Sequence, residues 1–185
     1  LKNLTFTKGN ALSYGTPYGG AIYNDGDLTI INSTFSSNKG NYAGAVGNWG
    51  TLRVQGSTFT SNQSNNEGGA IMNFGTLTMA NSTIVANLAG SFGGGISNVG
   101  GSATTLVNVT IWQNAADTAN LVTELTSGGG VYQRGSLQYA NTVIAGSTKG
   151  NDCEAVPASS TIDLNVANFV GNSGCSARYS GGTEL

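Results

Sequence analysis

Residues 68–87 read GGAIMNFGTLTMANSTIVAN, and this stretch decides the fold. It contains two phrases. GGAIMNFG (68–75) is a corner of small residues followed by an apolar anchor, an amide and a glycine. MANSTIVAN (79–87) is an apolar strand, an Asn, two small residues, a second apolar anchor and a closing Asn. Between them Leu77 and Met79 flank Thr78, a period of two that sends apolar side chains to one face and the hydroxyl to the other.

Both phrases recur along the chain. The second returns as IINSTFSSN (30–38), VQGSTFTSN (54–62) and LVNVTIWQN (106–114), with weaker copies at 1–10, 139–147 and 165–173. Its anchors are Phe6, Phe35, Phe59, Ile84, Ile111, Ile144 and Phe169, spaced 29, 24, 25, 27, 33 and 25 residues apart. The first returns as GGAIYNDG (19–26), AGAVGNWG (43–50), GGGISNVG (93–100) and GGGVYQRG (128–135). Its anchors Ile22, Val46, Ile71, Ile96 and Val131 keep the same step until a gap of 35. Two independent phrases sharing one period mark a solenoid. Leu28/Ile30, Leu52/Val54 and Leu137/Tyr139 repeat the alternation around Thr29, Arg53 and Gln138. No helical spacing accompanies it, so the expected fold is all-β. It is a right-handed, pectin-lyase-like parallel β-helix of about seven coils of about 25 residues, with three short strands per coil.

The amides fall into three columns. Asn24, Asn48, Asn73 and Asn98 form one, with Gln133 next; Asn38, Asn62, Asn87 and Asn114 form another, rejoined by Asn172. Asn3, Asn32, Asn81, Asn108 and Asn141 form the third. Stacked amides hydrogen-bond along such a column, and Asn tolerates the left-handed backbone of a corner. The Gly26, Gly50, Gly75, Gly100 and Gly135 column is expected to serve the same corner geometry. The N-x-S/T sequons at Asn3, Asn32, Asn62, Asn81 and Asn108 follow from the repeat.

Composition excludes several functions. Charged residues are 9% of the chain, against ~25% in an average soluble protein. Seven Lys and Arg against nine Asp and Glu leave a net charge of -2 and no basic patch for nucleic acid. There is no His, hence no His-containing triad or His–carboxylate metal site. No apolar run reaches the roughly 18 residues of a membrane span, and no basic-then-apolar leader opens the chain.

The GGA-Ile/Leu/Val and Phe-x-x-Asn phrases resemble the repeats of the polymorphic outer-membrane proteins and related secreted bacterial surface proteins. Gly19 to Ile22 and Gly68 to Ile71 match the first motif, and Phe35 to Asn38, Phe59 to Asn62 and Phe169 to Asn172 the second. The resemblance covers about residues 19–175. It implies a β-helix displayed outside the cell, often in an adhesin, with structural rather than catalytic motif residues.

Cys153 and Cys175 lie 22 residues apart, nearly one coil, and are expected to form a disulfide that staples the terminal coil at 145–185. Parallel β-helices also house pectate lyases and polygalacturonases, which need carboxylates gathered on neighbouring rungs. The acids here are Asp25, Asp27, Glu67, Asp117, Glu124, Asp152, Glu154, Asp163 and Glu184. Asp25 aligns with Trp49, Phe74, Val99 and Arg134, and Asp27 with Thr51, Thr76, Gly101 and Ser136, so neither meets a second acid. The reading is therefore non-catalytic, with no metal or cofactor. Asn24-Asp25-Gly26-Asp27 is read as an ordinary Asp-Gly corner in preference to a calcium loop.

Trp49 and Phe74 fall on adjacent rungs of one corner, with Tyr23 and Tyr132 in the neighbouring column. If exposed, they form a contact surface for sugar or protein; if covered, they only close the corner. The Thr5, Thr34, Thr58, Thr83, Thr110 column, partly doubled by Thr7, Ser36 and Thr60, is read as a cross-rung ladder. It fails as an ice-binding array at Val85 and Trp112. Excursions at 11–18 and 115–127 interrupt the rod, and the second is the favoured contact element. The 185 residues read as one domain, a segment of a longer rod. The function expected is a structural or adhesin-like stalk or contact surface, extracellular or at the cell surface. Its partners would be a host or cell-surface protein or a glycan. Two alternatives are a filament subunit that stacks head to tail with itself, and a glycan-binding or glycan-degrading module.

Overall fold

The computed structural model describes residues 1–12, 18–120, 127–156, 159–172 and 175. Among them are twenty-three strands and no helix, wound as a parallel β-solenoid of about six turns. Each early coil contributes to four sheets rather than the three expected. The long sheet holds Asp27–Ile31, Thr51–Gln55, Thr76–Ala80, Ala103–Val107, Ser136–Ala140 and Thr161–Val166. The Thr sheet has seven strands, from Thr5–Thr7 to Phe169–Val170. The Asn-ended sheet has six, from Ile22–Asn24 to Cys153–Ala155. The fourth sheet is built from two-residue strands, Asn10–Ala11, Lys39–Gly40, Gln63–Ser64 and Leu88–Ala89. Two residues carry no readable alternation, which is why it was missed.

Inward residues of the sheets make one continuous core that includes Ile30, Phe35, Leu52, Phe59, Leu77, Met79, Ile84 and Leu106. Phe6, Phe35 and Phe59 stack ring on ring at 4.7 and 4.8 Å, the spacing of the strands that bear them. Ile84, Ile111 and Ile144 continue the column by strand pairing.

The amide columns divide the work that was assigned to all three. In the first, Asn24, Asn48, Asn73 and Asn98 each donate from Nδ2 to the amide oxygen of the next coil at 2.6–2.9 Å, ending on Gln133. In the second, Asn38, Asn62 and Asn87 donate both backbone N–H and Nδ2 to the next Oδ1, ending on Asn114. Both are buried. Neither uses positive φ. That geometry belongs to the third, exposed column, where Asn3, Asn32, Asn81, Asn108 and Asn141 have φ between 48° and 56°. A second left-handed corner follows the Thr sheet at Lys8, Ser37, Ser61, Ala86 and Gln113, where the sequence gives no Asn or Gly signal.

The expectation for the glycine column is corrected in the same way. Gly50 and Gly75 do not take positive φ. A Cβ at Gly50 would lie 2.1 Å from the Gly26 carbonyl oxygen, and one at Gly75 2.1 Å from that of Gly50. Their role is close stacking of one coil on the next. Positive φ is found instead at glycines that open the other phrase, among them Gly68, Gly93 and Gly128 at 66°, 63° and 54°.

The terminal coil departs from the expected register. Cys153 and Cys175 form the disulfide, with Cα atoms 5.4 Å apart and both residues in the core. A bulge in Thr161–Val166 moves the pairing by one residue, so that Leu137 pairs with Ile162 but Gln138 with Leu164. The shift carries into the Thr sheet, where Ile144 pairs with Val170 and Val143 with Phe169. Val170 therefore packs on the core, and the expected anchor Phe169 is 60% exposed. Asn172 is correspondingly outside the second ladder: its N–H donates to the Asp152 carboxylate, which also accepts the Ser147 N–H.

Candidate contact surface

The middle residue of each strand in the Asn-ended sheet faces outward: Tyr23, Gly47, Met72, Ser97, Tyr132 and Glu154. Polar residues would be expected there, yet Met72 and Tyr132 are buried. They are covered because side chains fold over the sheet from both sides. From the corner after it come Asp25, Trp49, Phe74, Val99 and Arg134. From the turn before it come Tyr18, Tyr42, Glu67 and Phe92, joined by bridges Tyr18–Tyr42 and Glu67–Phe92.

The rings of the first coils form one cluster. Trp49 and Phe74 stack at 4.3 Å with 22° between their planes, as their adjacent rungs predicted. Tyr23 approaches Trp49 at 5.1 Å, and Tyr18 meets it edge-on at 4.4 Å. Tyr42 packs on Tyr18 at 5.3 Å. A Cβ at Gly47 would come 3.0 Å from the indole, so Trp49 lies across the glycine and needs it there. Trp49, Phe74, Tyr18 and Tyr42 are half-buried, whereas Tyr23 is 52% exposed. The corner is thus both packed and accessible, a combination of the two outcomes considered from sequence.

Tyr132 does not join this cluster. It stacks on Phe92 at 4.5 Å, two coils further on, and forms a second site with Arg134, Glu67 and Ser97. The Arg134 guanidinium lies 5.1 Å from the Tyr132 ring centroid and 6.0 Å from that of Phe92. It donates to Glu67 Oε2, which also accepts the Ser97 hydroxyl at 2.7 Å. One carboxylate therefore ties together three coils. Burial, the largest influence, pushes the Tyr132 phenol above its ordinary value; Arg134 opposes this, and Glu67 and Glu154 add to it. In the sequence Glu67 stands only as one of nine acids, and the Tyr18, Tyr42, Glu67, Phe92 column carries no motif. That column precedes the GGA phrase by one position and has no chemical consensus, so only its spacing could have exposed it.

Asp25, Asp27, Asp117 and Asp152 take no part in this site. Asp25 and Asp27 are exposed, and Asp27 aligns with Thr51, Thr76, Ala103 and Ser136. Ala103 replaces the expected Gly101, because two extra residues, Gly101 and Ser102, widen that corner. Asp117 and Asp152 are buried and engaged with Lys149 and with backbone N–H groups respectively. Glu124 and Glu184 lie outside the described residues. No group of three His, Cys, Asp or Glu residues placed to hold a metal occurs among the described residues.

The excursions are described only at their ends. Residues 115–119 still pair with the coil below through Ala115, Asp117, Thr118 and Ala119, and Lys149 Nζ donates to the Asp117 carbonyl at 2.6 Å. The segments 13–17 and 121–126 lie outside the described residues, so the favoured contact element at 115–127 is only partly seen. On the Thr sheet, Thr5, Thr34, Thr58, Thr83 and Thr110 pair in register as expected, and Trp112 is 41% exposed beside them.

No family model, curated protein or solved structure matches the chain. No helix among the described residues is long and apolar enough to cross a membrane.

Proposed function

We propose that this chain is a non-catalytic, adhesin-like extracellular β-helix, in which the coils form a rigid stalk and the aromatic face of the Asn-ended sheet is the contact surface. One observation carries the reading. Five rings, Tyr18, Tyr23, Tyr42, Trp49 and Phe74, pack on the outside of a solenoid whose core is filled without them. Rings held by one another lose little freedom on binding, which favours a contact role. The disulfide supports a non-reducing compartment, and the surface-protein resemblance of the repeats supports display outside the cell. Asp27, which pairs with Thr51 and not with a second acid on the next rung, supports a binding module over a hydrolase.

The test is retention of the purified chain on intact epithelial and bacterial cells. Tyr23→Lys puts a charge on the exposed ring position, and Thr78→Lys puts one on the exposed face of the long sheet. The expected result is retention of the native and Thr78→Lys chains on at least one cell type, with roughly tenfold loss for Tyr23→Lys. Equal retention of both variants, or none by the native chain, contradicts the reading.

A further inference from the structure

We infer that the ligand of this face is a neutral, extended oligosaccharide that stacks on Tyr23 and runs along the ring row toward Phe74, an inference that rests on the contact-surface reading above. Size is the first reason. From the coil of Tyr23 to that of Phe74 the ring row spans two inter-strand steps, about 10 Å. Five rings, four of them half-buried, leave less open surface than the ~800 Å² that each partner gives to a stable protein–protein interface. The patch suits a narrow chain lying along the rod better than a folded protein.

Charge is the second. The charges of Glu67 and Arg134 are paired with each other, and the five rings of the first cluster carry none. The charge nearest them in the column is Asp25, one coil before Trp49, and it is exposed. A carboxylate there accepts hydrogen bonds from sugar hydroxyls and repels a polyanionic chain. Geometry is the third. Trp49 and Phe74 spend facing ring surfaces on each other, and Tyr18 meets Trp49 by its edge. Tyr23 ends the row and is half free of protein. A pyranose offers an apolar C–H face to such a ring while its hydroxyls reach the polar rim. Tyr23 already leans on Trp49, so little side-chain freedom remains to be lost.

The chain has two tryptophans, so Trp112→Phe leaves Trp49 as the single tryptophan, whose emission is excited selectively over that of the tyrosines. That variant is titrated with cellohexaose, laminarihexaose, mannohexaose and chitohexaose, and with heparin, while calorimetry follows the native chain with the same probes. The expected result is saturable binding of at least one neutral hexasaccharide that added salt leaves unchanged, weakened roughly tenfold by Tyr23→Ala and less by Asp25→Asn. The inference is overturned if no neutral sugar binds by either readout, or if only heparin binds and salt abolishes it. Should that happen while cell retention stays sensitive to Tyr23→Lys, the contact surface stands and the glycan falls. If retention is also absent, both fall.

Discussion

Asn73 and Asn81 sit eight residues apart in one coil and do unrelated work. Asn73 is buried, accepts from Asn48 Nδ2 at 2.7 Å and donates to Asn98 Oδ1 at 2.9 Å and to the Gly75 carbonyl. Asn81 is exposed at φ 50°, where its side chain meets only the Asn108 amide. Gly accepts that backbone without penalty, but at position 73 it leaves buried amide groups unpaired. Urea unfolding should therefore show Asn73→Gly destabilised by about 3 kcal/mol and Asn81→Gly within about 0.5 kcal/mol of the native chain. Equal losses at the two positions would refute the division of labour between ladders and corners. The sequence displayed both residues as members of amide columns, and it could not separate them. An Asn that bonds to its neighbour and an Asn that bends the chain leave the same letter at the same period.

The terminal coil shows what the disulfide does for an element and where sequence alignment of repeats fails. Anchor spacing placed Phe169 in the core, because a one-residue bulge inside Thr161–Val166 is invisible to a period that already varies from 24 to 33. Burial of Val170 and exposure of Phe169 are its physical consequence. The Cys153–Cys175 pairing was legible because a spacing of nearly one coil and a lone pair of cysteines in a low-charge chain both pointed to it. Replacing both cysteines with Ser removes about 3 kcal/mol from the closed loop. Since each coil touches only its neighbours, the loss should stay local. Hydrogen exchange should accelerate at Cys153–Ala155 and Phe169–Val170 and remain unchanged at Val46–Asn48 and Thr51–Gln55. Uniform acceleration along the whole solenoid would show instead that the chain unfolds as a single unit.

At the scale of the whole molecule, the repeat explains the rod, and its departures make the face. The period predicted the parallel coils, the column of anchors that holds Phe6, Phe35 and Phe59, and the amide ladders. It predicted the Trp49–Phe74 pair as well, because both share a column with Asp25 and Arg134. It did not bring in Tyr18, Tyr42, Glu67 and Phe92, which vary from coil to coil in a position with no consensus. It also grouped Tyr132 with rings from which it is two coils removed. The account holds that this face, and not the Thr sheet, meets the partner. Each face carries one tryptophan, Trp49 or Trp112, so hydroxyl-radical footprinting of the native chain, free and bound to the cells that retain it, tests the claim most directly. The prediction is protection of Tyr23, Tyr42 and Trp49 on binding, with Trp112 and Phe169 labelled as in the free chain. Protection of Trp112 and Phe169 with the aromatic cluster unchanged would contradict it.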